Sequence, residues 1–369
     1  MTITDAPRQT SNPERHVPTR RVSFEESLRN VPKHFAADGD LIESHLAVCM
    51  SAVFPDGEDF FVRSVRHYRD TVTDPELKRQ VAGFIGQEAV HGREHRAFND
   101  RLHELGYPVK TFERFTERGL AVRERLLPAS SNLAATAALE HFTATLAELI
   151  LTDPEARAMI GNPAVEQLFL WHALEESEHK AVAFDVYKLS GGSERLRTFT
   201  MNLLTFGFIA GMTVQVIISL LGDRETFRRG RLRRSLKRVI HSPFVSKDLW
   251  TRLRDYNRPD FHPDDYDTTE LVATWRAELF GPDGTLLDKL ASTEEWEEGM
   301  AVNALIQAHG SGQFGYPEFV KRVKAVQEEF KARRAAREPA MAKALDFGTV
   351  EPTVLSFKAA LLAGLVPQC

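Results

Sequence analysis

Cysteine is nearly missing from this 369-residue chain: two occur, Cys49 in an apolar run and Cys369 at the last position. That excludes a disulfide framework and any Cys-type zinc or iron–sulfur spacing, and it implies a reducing, cytoplasmic setting. An excess of positive charge is missing too. With 47 Lys and Arg against 52 Asp and Glu, the formal net charge of -5 argues against nucleic acid as a partner, since backbone binders carry a clear positive excess. Alternating apolar and polar runs bounded by Gly or Asn turns are also scarce, which excludes a sheet-built core. The first twenty residues lack the apolar stretch of a secretory signal and are polar and Pro-rich, so residues 1–21 read as a disordered tail without chemistry. No Rossmann fingerprint, H-E-x-x-H or G-x-S-x-G motif appears.

What is present, from about residue 22 onward, is helical period, in a chain that is 43% hydrophobic and long enough to bury a large core. The class is all-α. Ser23 with Glu26 spells a capping box for a short helix, and Asp40 suits the cap of LIESHLAVCMSAVF, which stops at Pro55-Asp56-Gly57, where the next helix begins. Asp74 and Pro75 open a long helix that closes at Gly106. A charged helix over about 110–126 and the Ala- and Leu-rich NLAATAALEHFTATLAELIL follow, and Asn162-Pro163 opens AVEQLFLWHALEESEHKAVAFDVYKL, stopped by Gly191-Gly192. The spacing predicts an antiparallel four-helix bundle with a crossover over 22–195, an apolar helix and basic segment over 196–240, and a helical extension over 241–369. That extension offers two amphipathic helical stretches and an apolar tail, TVLSFKAALLAGL, as cover for the bundle or as a contact in a homo-oligomer.

Two E-x-x-H pairs carry the chemistry. Glu88 with His91, and Glu176 with His179, each sit at i and i+3 on a helix, where a carboxylate and an imidazole share one face. Carboxylate-bridged two-metal bundles combine two such pairs with one further Glu from each of two other helices. Glu140, a lone charge in an Ala-rich helix, and Glu58, flanked by Phe54, Phe60 and Phe61, supply those two, because a buried unpaired carboxylate is costly and a metal resolves it. Asp59, adjacent to Glu58, would point about 100° away. His172 joins Glu176 and His179 on one stripe at i, i+4 and i+7, and adds a third imidazole. The expected metal ligands are therefore Glu58, Glu88, His91, Glu140, His172, Glu176 and His179, in a ferritin-like bundle with a di-metal centre. His95 is a lesser candidate on the His91 stripe. Glu94, His141, Glu175 and Glu178 read as hydrogen-bond partners or solvent-facing groups, and Asp185 as a partner for a ligating histidine.

The segments FPDGEDFF, FIGQEAVH, LEHFTA and WHALEESEHKAVAFDVY resemble a bacterial family of predicted metal-dependent hydrolases, over roughly residues 20–240. The ligand order, including the additional histidine, is also similar to that of di-iron arylamine N-oxygenases. This second resemblance implies O2 chemistry and is confined to the ligand pattern.

Two iron ions, or Mn or a mixed Mn/Fe pair, held by this carboxylate-rich set would reduce O2 and oxidise a small-molecule or lipid-like substrate. Electrons would come from an external reductase, since the chain has no flavin or nicotinamide fingerprint. The alternatives are a di-metal hydrolase, with water activated between the ions, and a non-enzymatic iron-handling protein. Residues 198–222 are uncharged and about long enough to cross a bilayer, and a dense Arg and Lys run follows them. That pairing raises peripheral contact with an anionic membrane, against the milder reading of a buried helix beside a solvated basic one.

Overall fold

The computed structural model describes residues 15–291, 301, 305, 318 and 320–332. It is all-helical among them, with an isolated antiparallel bridge between Val22 and Leu290. A single turn, α1 (Glu25–Leu28), precedes α2 (Leu41–His67), whose first turn Asp40 caps by accepting the amide of Glu43. Asp74 accepts from Leu77 to open α3 (Pro75–Glu104). Then come α4 (Val109–Leu126), α5 (Ala129–Thr152) and the short α6 (Pro154–Ile160). Asn162 caps α7 (Pro163–His179), which is followed by α8 (Val182–Leu189) and α9 (Glu194–Leu221). Three further helices, α10 (Arg231–Val239), α11 (Lys247–Asp255) and α12 (Thr269–Phe280), belong to the same compact unit, which ends at Leu290. In the second unit, residues 320–332 are helical, as expected for part of YPEFVKRVKAVQEEFKARRAA. The apolar tail at 353–365 and residues 1–14 lie outside the described residues.

Side-chain pairings set the helix directions. Ser51 of α2 meets Asn99 of α3, and Glu58 lies beside Gly92, so these two run antiparallel. Contacts of α3 with α7 at Gln87–His179, His91–Glu175 and His95–His172 make that pair antiparallel as well. Glu140 and Thr143 of α5 meet His179 and Glu176 of α7 in the same sense, and Ser64 of α2 bonds Thr136 of α5 to close the ring. It follows that α3 and α5 run the same way. The crossover is α4, which returns the chain along α2.

Several local expectations need correction. Pro55 does not end a helix: α2 runs through it without a break. The missing N–H of Pro55 frees the carbonyl of Ser51, and the Asn99 side chain takes over that acceptor through Nδ2 at 3.0 Å, so the local penalty of an internal proline is partly offset. Conversely, the expected single helix over 163–189 breaks after His179. There the buried Lys180 turns its Nζ to Glu148 (3.1 Å) and to the carbonyl of Tyr266 (2.5 Å). Ser23 caps nothing, because its amide is drawn to the carbonyl of Lys289 and Phe24 occupies the N-cap.

Residues 15–21 are not a loose tail. They lie against α3, where an added Cβ on Gly83 would stand 2.1 Å from the Val17 carbonyl and one on Gly86 2.0 Å from Thr19 Oγ1. Only glycine lets the two backbones approach this closely. Arg15 and Arg20 fix the segment by pairing with buried carboxylates, Arg15 with Asp185 (2.8 Å) and Arg20 with Glu175 and Glu178 (2.9 and 2.7 Å).

Candidate metal centre

The helix ring brings all seven expected residues, Glu58 from α2, Glu88 and His91 from α3, Glu140 from α5, and His172, Glu176 and His179 from α7, into one buried cluster, none more than 4% exposed. Glu176 and His179 stay together as their spacing predicts, whereas His91 parts from Glu88. Glu58, His91 and His172 form one group that could hold a metal ion, and Glu88, Glu176 and His179 form another. His179 Nε2 stands 3.1 Å from Glu88, 3.2 Å from Glu140 and 3.6 Å from Glu176, which adds Glu140 to the second group. His91 Nδ1 is 3.9 Å from Glu88 and 3.7 Å from Glu176, and Glu176 Oε1 is also 2.9 Å from His172 Nε2. Glu88 and Glu176 therefore border both groups, because an E-x-x-H helix face sets its carboxylate one turn away from its imidazole.

Each imidazole is oriented from outside the cluster. His179 turns Nδ1 to Gln87 Oε1 (2.8 Å), and the Gln87 amide nitrogen is committed to Glu178 (2.8 Å) and to the Pro18 carbonyl (3.0 Å), so Nδ1 must donate. His91 turns Nε2 to Glu175 Oε2 at 3.0 Å, whose partner carboxylate oxygen is held by Arg20. His172 turns Nδ1 to His95 Nε2 at 2.7 Å, and His95 Nδ1 meets Ser51 Oγ at 2.9 Å. Such outer bonds orient each ring, and in all three the other nitrogen faces the carboxylates, where it can bind a metal.

The inward face is thus a set of acceptors. Both carboxylate oxygens of Glu58, Glu88 and Glu140, with His91 Nδ1 and His179 Nε2, are buried without a hydrogen-bond partner. Glu176 has two bonds, one from the Thr143 hydroxyl and one with His172 Nε2 at 2.9 Å. Burial pushes Glu88 up to about 8, with repulsion from Glu140 adding to it, and burial pushes Glu140 up to about 7. Burial, with repulsion from Glu88 and Glu176, also raises Glu58 well above the usual carboxylate range. Unpaired buried acceptors at this density are resolved by cations, and O and N donors of this kind suit divalent metals.

The other residues singled out from the sequence fall outside the acceptor set. Asp59 points away and pairs with Arg96 at 2.6 Å. His95 binds His172, and Glu94 accepts from the Phe24 amide at 2.7 Å. His141 packs on Tyr256 and Phe261 and reaches the Arg252 carbonyl. Asp185 was expected beside a ligating histidine, but it pairs with Arg15 and His262, because α8 turns away after Lys180. Gln87, Thr143, Ser51, Asn99 and Arg20 went unrecognised. Gln87 adjoins Glu88 in sequence and could have been suspected, whereas Arg20 gives no local signal.

A third cluster of ligand-type residues, His34, His45 and Asp223, differs in kind. Asp223 Oδ2 is bonded by His34 (2.8 Å), His45 and Lys33 (both 3.3 Å), and His45 Nδ1 meets Ser219 Oγ at 2.6 Å. This network is satisfied by its own members and already holds a lysine cation.

A helical body that closes on buried carboxylates and imidazoles defines a metal-binding all-α protein. The chain belongs to the predicted metal-dependent hydrolase family, whose match spans residues 18–267. No curated protein and no solved structure matches it.

Proposed function

We propose that the cluster holds two metal ions in a ferritin-like four-helix bundle and that the protein is a di-iron oxidase or oxygenase. Glu58, His91 and His172 would serve one ion, Glu140 and His179 the other, and Glu88 and Glu176 both. The observation that carries this reading is the inward array of acceptors, most of them buried and unpartnered. The crossover topology, with α3 and α5 running the same way, supports the bundle assignment. Bound iron would supply the electrons that reduce O2, replenished by an external reductase.

The chain's own groups support this choice of reaction. Four carboxylates with three imidazoles would suit a hard ion able to rise in charge, Mn as well as Fe. Thr143 holds one Glu176 oxygen, and Gln87, Glu175 and His95 keep the rings from turning. Ligands this deeply buried exclude bulk water, and they suit a small co-substrate such as O2 better than a bulky ester or phosphoryl group.

Hydrolysis is the second reading, and the family description favours it over oxidation. In it the two ions would activate water for attack on an acyl or phosphoryl substrate. The deciding experiment loads the metal-free protein anaerobically with Fe(II), measures bound metal, and follows O2 uptake on reduction beside hydrolysis of ester and phosphoester panels with Zn(II), Mn(II) and Fe(II). Two irons per chain with O2 uptake support the oxidase. Metal-dependent hydrolysis without O2 uptake establishes the second reading instead.

A further inference from the structure

Helix α9 is patterned inside out. Its inner face, packed on α2 and α5, buries the polar Arg197, Thr200, Gln215 and Ser219 beside Met201 and Val216. Its outer face presents Phe199 (65% exposed), Leu203, Phe206 (74%), Val214, Ile217 and Leu221 (63%). These fall at helical spacing along one side over most of the helix length. A soluble protein seldom leaves so continuous an apolar stripe in water. The helix is long and apolar enough to cross a membrane. It is nevertheless bound into the body: Arg197 reaches the carbonyls of Tyr256 and Arg258, and Ser219 bonds His45. A helix held along its inner face in this way offers a surface to lipid and does not span it.

The segment that follows supplies the charge. Arg229, Arg233, Arg234 and Lys237 are exposed and make no ion pair among the described residues, whereas Arg231 and Arg238 are spent on Glu225, Asp38 and Glu43. Among those cations Leu232 and Leu236 of α10 and Ile240 at its C-cap are exposed at i, i+4 and i+8. An apolar stripe set among unpaired arginines matches the interfacial region of an anionic bilayer, where apolar side chains enter the acyl boundary and basic ones meet phosphate.

We infer that α9 and α10 form a peripheral membrane-docking surface for anionic lipid. It stands independently of the reaction at the metal cluster. The test is co-sedimentation of the full chain with phosphatidylcholine vesicles and with vesicles containing phosphatidylserine, across a salt series. A basic-residue variant changes Arg229, Arg233, Arg234 and Lys237 to Ser, and an apolar-face variant changes Phe199, Phe206 and Ile217 to Ser. Sedimentation velocity reports oligomeric state, and circular dichroism and metal content check that each variant keeps its fold.

Wild type is expected to bind the anionic vesicles at low salt, to leave them as salt rises, and to bind neutral vesicles weakly. Removing four basic residues should weaken binding by roughly two orders of magnitude or more. The apolar-face variant should bind the anionic vesicles more weakly than wild type at low salt and leave them at a lower salt concentration. Wild type left in the supernatant with anionic vesicles at low salt overturns the inference. So does equal binding to both vesicle types. A vesicle-indifferent oligomer that the apolar-face variant converts to monomer also overturns it, and assigns the stripe to a second copy of the chain.

Discussion

Asn99 donates its side-chain amide to the backbone carbonyl of Ser51, the acceptor that Pro55 leaves open in α2. A second bond from the same nitrogen to Glu113 (2.9 Å) fixes the amide, so Asn99 Oδ1 faces Ser51 Oγ at 2.7 Å as an acceptor. The Ser51 hydroxyl spends its proton there and must accept from His95 Nδ1. His95 is kept neutral by burial, so its Nε2 accepts from His172 Nδ1. His172 Nε2 is thereby turned to Glu58 (3.7 Å) and Glu176 (2.9 Å), where it can bind a metal. Asn99→Leu and His95→Leu should each weaken metal binding at the His172 position about 10–100-fold, as removal of an orienting bond does. His95→Asn, which keeps an acceptor for His172, should restore part of the loss. Metal titration reads this directly, and unchanged binding in both leucine variants would refute the relay.

Glu140→Gln separates a ligand from a packing residue. The variant should bind at least one metal fewer than wild type with its helix content intact. In the metal-free state it should be more stable than wild type by about 1–3 kcal/mol, because a buried acid without a partner has gone. Metal analysis and thermal unfolding check the two halves. Full stoichiometry in the variant would remove Glu140 from the site.

His172→Ala should empty one position and leave the other, since His179, Glu140, Glu88 and Glu176 remain around the second. One metal per chain is the expected content. Loss of both would mean that the two groups bind as one unit.

The metal-free protein should lose stability as pH rises above about 7. Glu88, raised to about 8, and Glu175, also raised by burial to about 8, hold protons in the folded chain that the unfolded chain has released, and His179 is raised as well. When the folded state binds more protons, stability falls with pH. His91 and His95 are lowered and have the opposite sign, but they are neutral in both states above pH 7, so they do not cancel the effect there. Thermal unfolding of chelated and metal-loaded protein from pH 6.5 to 8.5 measures it. The chelated form should decline over that range and the loaded form should stay nearly level.

Arg20→Ala leaves Glu175 and Glu178 buried with reduced compensation and should destabilise the fold by about 3 kcal/mol. Gly86→Val should act at the same place by steric means, pushing Thr19 off α3. Both should raise proteolysis near residues 15–21. A protected N-terminal segment in Gly86→Val would contradict the close approach.

The helix class, most helix ends and the convergence of the seven residues were legible because each rests on a short-range rule: capping residues, apolar period, i and i+3 spacing. What escaped depends on distant parts of the chain. Pro55 reads as a stop unless Asn99 is known to stand opposite Ser51, and Arg20 reads as tail unless Glu175 and Glu178 are known to lie beneath it. The break after His179 falls where Lys180 reaches Glu148 and Tyr266, neither of them near it in sequence. Glu176 and His179 group as their spacing predicts, whereas His91 joins Glu58 and His172 across helices for the same reason.

Glu178 is held from both ends of the described unit, by Arg20 before the first long helix and by Arg276 of α12, 2.7 Å from the same carboxylate. The helices that carry the cluster are complete by residue 190, and Glu178 also accepts from Gln87, whose oxygen orients His179. The last helix of the unit is thereby wired to a ring of the cluster through two side chains, Glu178 and Gln87. Loss of Arg276 would reach His179 along that path.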